Sequence, residues 1–180
     1  MTIRYTRTAR SLHWLMALLL TGLVGLGFYM QTMPLSPTKL QVYSWHKWLG
    51  ITIFLLAVIR LAWRAGHTPP ALPDHMGPFE RLAAHGGHVA LYLLMLGIPL
   101  SGWLMSSAMG FQTVWFGILP LPDLLARDRE LGKSLAQVHA TLNIALIVMV
   151  VLHILAALKH QFIDKDQILS RMMFTSSKEK

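Results

Sequence analysis

The 180-residue chain contains no cysteine. That excludes disulfides, cysteine-held iron–sulfur clusters and a covalently attached c-type haem, whose attachment needs Cys-x-x-Cys-His. Acidic residues are also scarce, with eight Asp and Glu against sixteen Lys and Arg. Charged residues make up only 13% of the chain and hydrophobic ones 54%, which is not the composition of an ordinary soluble domain. No Asp or Glu falls in the apolar core of any long hydrophobic run; Glu80 stands at the edge of one. A carboxylate di-iron bundle, which needs inward Glu and Glu-x-x-His motifs, is therefore excluded. A metal-ion transporter using membrane histidines is disfavoured for the same lack of carboxylates. No basic stretch is interleaved with aromatics, so the net charge of +8 gives no sign of nucleic-acid binding.

What the chain has in quantity is apolar sequence. The runs 12–30, 40–63, 89–109 and 135–158 are each long enough to cross a hydrocarbon core about 30 Å thick. The fold class expected is all-α, a transmembrane four-helix bundle with spans of about 11–31, 38–64, 80–109 and 134–160. The segments between are too short for a second domain, so residues 1–180 are expected to form a single membrane-embedded domain. A basic start precedes the first run, as in a signal peptide. The run is nearer twenty residues than ten, however, and no small-x-small site follows, which argues for a retained span. With the N-terminus inside, eleven cations fall in inner segments, among them Arg10, Arg60, Arg64, Lys178 and Lys180. Only five (Lys39, Lys47, Arg127, Arg129 and Lys133) fall in outer ones. The positive-inside rule then places both termini in the cytoplasm, and the basic pI reflects topology and attraction to anionic lipid.

Within this frame the histidines are the unusual feature. His139 and His153 are fourteen residues apart on the last span. At 100° per residue that is about 1,400°, roughly 40° short of four turns, so both rings leave one helix face about 21 Å apart along the axis. Ionisable groups at membrane depth are costly and by default face the bundle interior. The topology puts His46 at the outer depth of His139, and His13, His85 and His88 at the inner depth of His153. The outer pair is unambiguous, whereas the inner histidine has three possible partners. Gly27 follows His13 by fourteen residues and would let a flat cofactor or another helix approach the backbone, and Gly102 stands in the same relation to His88. Two imidazoles on opposite helices suit axial ligation of a haem, because four porphyrin nitrogens complete the coordination. Six-coordinate bis-His iron favours electron transfer over oxygen chemistry. Structural histidines that hydrogen-bond to neighbouring helices are the alternative.

The residues also carry a resemblance. Tyr5-Thr6-Arg7, Leu12-His13-Trp14-Leu15, His46, Ala84-His85-Gly86-Gly87-His88 with Tyr92-Leu93-Leu94, His139, Leu152-His153 and Arg171-Met172-Met173 are similar, in this order, to the bacterial cytochrome b561 family. That family is related to the b-type cytochromes of nickel hydrogenases. The resemblance spans nearly the whole chain and implies two non-covalent, bis-His b-type haems. The inner haem would lie between His13 and His153, the outer one between His46 and His139. His85 and His88 would stand beside them, on the quinone side. His160, two turns beyond His153, would approach a haem edge or remain interfacial. Arg10, Arg60, Arg64 and Lys47 are at depths suited to haem propionates.

The resemblance implies a bacterial inner-membrane protein that passes electrons between its haems and a quinone pool. Some relatives oxidise superoxide and reduce ubiquinone. Five outer cations against Asp123, Asp128 and Glu130 give a small positive bias, with Lys47 and Lys133 as candidates for steering superoxide. The alternative is an electron-carrier cytochrome b subunit for a partner dehydrogenase or reductase, docked through the loop 110–133 or the basic tail. No catalytic acid or base stands out, and outer-sphere electron transfer needs none.

Overall fold

The structure is a computed structural model that describes residues 4–174. Lys178 and Lys180, counted above on the inner side, lie outside the described residues. Helices α1 (Arg7–Thr32), α2 (Pro37–Gly66), α3 (Pro78–Ala108) and α4 (Arg129–Lys159) form the bundle, and each is long and apolar enough to cross a membrane. The all-α four-helix architecture read from the apolar runs is therefore present. A small hairpin, β1 (Val114–Trp115) and β2 (Leu119–Pro120), lies between α3 and α4. A π-turn (His160–Asp164) and a short 3-10 turn (Leu169–Arg171) follow α4. Below, the end where α1 begins and α4 finishes is the N-terminal end, and the other is the far end.

Helix boundaries follow from capping chemistry. Ser36 Oγ accepts the Lys39 N–H at 3.2 Å with Pro37 in the first turn, so α2 begins where the Ser-Pro pair indicates. α1 begins four residues earlier than the hydrophobic pattern suggests, at Arg7 rather than residue 11, because Thr6 Oγ1 caps the Ala9 N–H. α4 likewise begins at Arg129 rather than 134. Asp128 Oδ1 accepts the N–H groups of Glu130 and Leu131 at 3.0 and 3.1 Å. Of the stretch 124–131, whose composition allows a short amphipathic helix, residues 124–128 are irregular and 129–131 open α4.

The core lies midway along the bundle, where Met16 and Leu23 of α1, Ile53 and Ala57 of α2 and Met95 of α3 pack together. Around it the surface is apolar: Leu18, Leu93 and Ile144 are 71%, 66% and 63% exposed, as lipid-facing side chains would be. α4 packs chiefly against α3, whereas α1 packs on α2 and α2 on α3. Where α3 meets α4, a Cβ at Gly132 would lie 2.9 Å from Met109, so the helices approach at a residue without a side chain. α4 makes no comparably extensive contact with α1 or α2. The histidines face one another across that less closely packed side.

Both ends are closed by hydrogen bonds. At the far end Trp48 Nε1 donates to the Val114 carbonyl and Trp115 Nε1 to the Trp48 carbonyl at 3.2 Å, which fastens the hairpin to α2. Trp48 is thus the anchor of the hairpin. Phe116 and Gly117 make the turn with φ of 51° and 73°. At the N-terminal end the tail folds back over α1. Trp14 Nε1 donates to the Met172 carbonyl at 2.9 Å, Arg10 Nη1 to the Met173 carbonyl at 2.8 Å, and the Tyr5 N–H to the Arg171 carbonyl at 3.3 Å.

Candidate functional site

The four histidines singled out in the sequence meet in two pairs. At the far end His46 of α2 and His139 of α4 have ring centres 6.3 Å apart, inclined by 76°. At the N-terminal end His13 of α1 and His153 of α4 have ring centres 6.2 Å apart, inclined by 61°. A metal held by two imidazole nitrogens at about 2 Å each, with each ring centre roughly 1 Å behind its nitrogen, sets opposed ring centres about 6 Å apart. Both pairs have that separation, and in each pair α4 supplies one ring.

The far pair is held by its surroundings. His139 Nδ1–H lies 3.0 Å from the Ile98 carbonyl and 3.0 Å from Ser101 Oγ. Because the Ser101 hydroxyl itself donates to Ile98 at 2.7 Å, its oxygen lone pairs are open to His139. A proton held on Nδ1 leaves Nε2 with a free lone pair, the tautomer that ligates metal. His46 Nδ1 is buried with no hydrogen-bond partner, a polar atom that a ligand would satisfy. Each ring rests on a glycine. A Cβ on Gly27 would be 3.3 Å from His46 Cε1, and one on Gly102 would be 3.1 Å from His139 Cε1. The glycines therefore make room for the imidazoles themselves, and the donor set fits a haem.

The N-terminal pair is more crowded. His88 of α3 also reaches His153, with ring centres 5.7 Å apart, so two rings compete for one partner. Arg60 Nη2 donates to His13 Nδ1 at 3.1 Å, which puts the His13 proton on Nε2. Metal ligation through Nε2 requires that proton to move to Nδ1 and Arg60 to turn away. Arg60 has somewhere to go: its guanidinium lies over the Tyr92 ring at 5.8 Å, and the Arg64 guanidinium lies over the same ring at 6.0 Å. A cleft lined by Tyr5, Arg60, Arg64, His88, Tyr92 and Met172 opens there. With Arg60 turned, this donor set also fits a haem.

Other sequence candidates are placed elsewhere. His85 is exposed and its Nδ1 donates to the Arg81 carbonyl of its own helix at 2.7 Å, so it does not join His153. Three residues of helix turn it about 60° from His88. Arg10 is buried beneath the tail, on the Met173 carbonyl and under Phe174. Lys47 Nζ donates to the Gln112 carbonyl at 3.0 Å and to Phe111 at 3.4 Å, so it holds the connection after α3 rather than standing free. Lys133 pairs with Glu130 at 2.7 Å. His160 sits among carboxylates beyond the end of α4. The hydrogen bonds of Ser101 and Ile98 to His139 escaped the sequence reading, although a serine in an apolar span beside Gly102 was the available signal.

The model of the family described as prokaryotic cytochrome b561 matches residues 4–175. The chain is 37% identical over 177 residues to cytochrome b561 homolog 2 of Escherichia coli (strain K12), covering 98% of this chain and 94% of that protein. It is 28% identical to the probable superoxide oxidase CybB of Yersinia pestis, over 94% of this chain and 96% of the relative. It is 26% identical to cytochrome b561 homolog 1 of Escherichia coli (strain K12), over 94% and 97%. A bundle of four membrane-length apolar helices, paired histidines at both ends and an end-to-end family match lead to one conclusion: the chain belongs to the prokaryotic cytochrome b561 family of bacterial membrane haem proteins, whose business is electron transfer.

Proposed function

We propose that this protein binds two b-type haems, one between His13 and His153 and one between His46 and His139, and passes electrons between them and a quinone. The observation that carries the reading is the repeated pairing, with ring centres 6.2 and 6.3 Å apart and α4 common to both pairs. Bound haem supplies a one-electron iron couple. The residues do the rest. Two imidazoles per site leave no coordination position for a substrate, which restricts the chemistry to outer-sphere electron transfer. Ser101 and Ile98 fix the His139 tautomer. Arg60 and Arg64 offer the cations that propionates need at the N-terminal end.

A positive-inside arrangement in the bacterial inner membrane, with both termini cytoplasmic and the hairpin outside, completes the reading. Superoxide as donor rests on the name of the Yersinia pestis relative, the probable superoxide oxidase CybB, and ubiquinone as acceptor rests only on the family resemblance. Steering of superoxide by Lys47 has no support, because its ammonium is engaged with backbone carbonyls. For an electron-carrier subunit, the observation in favour is the hairpin tip, where Ile118 is 85% exposed and would suit a docking partner.

The test is haem counted per chain in detergent-purified protein, with the reduced-minus-oxidised spectrum. Two low-spin b-type haems are expected, falling to one in His46→Ala and in His13→Ala and staying at two in His88→Ala. One haem in the parent protein would overturn the two-site reading, and loss in His88→Ala would move the ligand from His13 to His88. Superoxide-driven ubiquinone reduction supports the enzyme, and its absence in a dihaem preparation supports the carrier.

A further inference from the structure

Three of the eight acidic residues of this basic chain gather just beyond the end of α4. Asp164 closes the π-turn, Asp166 follows it, and Glu80 comes from the first turn of α3. Against them stands Lys159, whose Nζ is 2.7 Å from Asp164 and 2.9 Å from Glu80. With neutral histidines these four side chains carry a formal charge of −2, one Lys against three carboxylates, in a chain of net charge +8.

Imidazoles converge on the same point from two parts of the chain. His160 Nδ1 is 2.6 Å from Asp166 Oδ2 and 3.1 Å from Asp164 Oδ2. These three donor atoms lie within 4.8 Å of one another. His75, on the α2–α3 loop, brings Nε2 to 3.4 Å from Asp166 Oδ2. Four ligands at about 2 Å from a tetrahedral metal are themselves roughly 3.3 Å apart. Small outward shifts of His160, Asp164 and Asp166 would open room for an ion, and His75, now in contact with Asp166 alone, would swing in to complete the set. The ligands are well supported. Asp166 and His160 side chains are only 6% and 12% exposed. The His75 loop is held by Arg81, which donates to the carbonyls of Pro73, Asp74 and Met76, and by Arg171, which donates to Ala71.

We propose that His160, Asp164 and Asp166, with His75 as the fourth ligand, form a binding site for a divalent transition-metal ion at the N-terminal end of the bundle. Two imidazole nitrogens and two carboxylate oxygens suit zinc and its neighbours rather than magnesium or calcium. Asp164 gives up Lys159 to Glu80 when the ion binds, so the lysine competes with the metal. A filled four-ligand site is closed, and its effect is to clamp the α2–α3 loop to the turn that ends α4.

Haem-loaded, chelator-washed protein dialysed against zinc should take up one saturable zinc per chain beyond its iron, measured by elemental analysis. Asp166→Asn and His160→Ala should each lower affinity by more than the roughly 100-fold that loss of an outer-shell partner costs. Haem absorbance shows whether each variant has kept its fold. Lys159→Met removes the competitor and should tighten binding roughly two- to five-fold, the worth of an exposed ion pair. Absence of a saturable site would overturn the proposal. So would zinc uptake unchanged in the ligand variants, or, should those lose their haem, affinity unchanged in Lys159→Met.

Discussion

Each histidine of the far pair has a backbone neighbour that leaves room for it, and this makes the site sensitive to single methyl groups. A Cβ on Gly102 would stand 3.1 Å from His139 Cε1 and 3.3 Å from Nδ1, so a side chain there must displace the ring. We expect Gly102→Val to reduce the haem count from two toward one by loss at the far site. Gly27→Val, whose Cβ would be 3.3 Å from His46 Cε1, should act in the same direction. Gly25→Ala, with nothing within 4 Å, serves as the control and should retain full haem. A pyridine haemochrome assay on the three variants decides the matter, and equal haem in all three would refute the packing argument. Spacing alone put His139 and His153 on one face. It could not say that Ile98 and Ser101 would hold the His139 proton, because that contact joins residues about forty positions apart.

At the scale of elements, boundaries were set by polar caps that hydrophobic periodicity does not detect. Asp128 lies six residues ahead of residue 134, where the apolar pattern of α4 begins, yet it accepts two of the orphan N–H groups of that helix. Asp128→Ala should cost about 1 kcal/mol, a fall of roughly 2–4 °C in Tm for a chain of this size. Thermal melts followed by helical circular dichroism would measure it, and an unchanged Tm would show that the cap contributes nothing. The hairpin between α3 and α4 was also invisible in composition. Val114-Trp115-Phe116 is merely apolar in sequence, while the pairing depends on Trp48 and on two turn residues of positive φ.

The whole molecule is closed at its N-terminal end by the returning tail. Trp14 and Arg10 donate to the carbonyls of Met172 and Met173, immediately beyond Arg171. Trp14→Phe removes one donor and keeps the ring, so limited trypsin digestion after Arg171 should speed up several-fold. An unchanged cleavage rate would mean that the bonds of Arg10, Tyr5 and Arg171 hold the tail without Trp14. Orientation is testable because the chain has no cysteine to interfere. In intact cells a membrane-impermeant maleimide should label Ile118→Cys at the hairpin tip. Thr68→Cys, in the α2–α3 loop, should be labelled only after permeabilisation. The reverse pattern would place the N-terminal end outside.

Four long apolar runs without an internal carboxylate allow only a membrane bundle, since backbone groups in lipid must bond within their own helix. Composition and local spacing were therefore sufficient for the fold, for the four helices to within a few residues, and for the placing of the four histidines toward two ends of the bundle. The inner partner was different. By depth, His13, His85 and His88 were equal claimants for His153, and resemblance alone favoured His13. The tertiary structure turned His85 away, kept His88 within 5.7 Å, and set Arg60 on His13. It also engaged Lys47 with the connection after α3 and gathered His75, His160, Asp164 and Asp166 from distant segments. Those outcomes depend on which helices pack and how each is rotated about its axis. Side-chain contacts between distant residues decide that rotation, and a local pattern of hydrophobicity does not specify them.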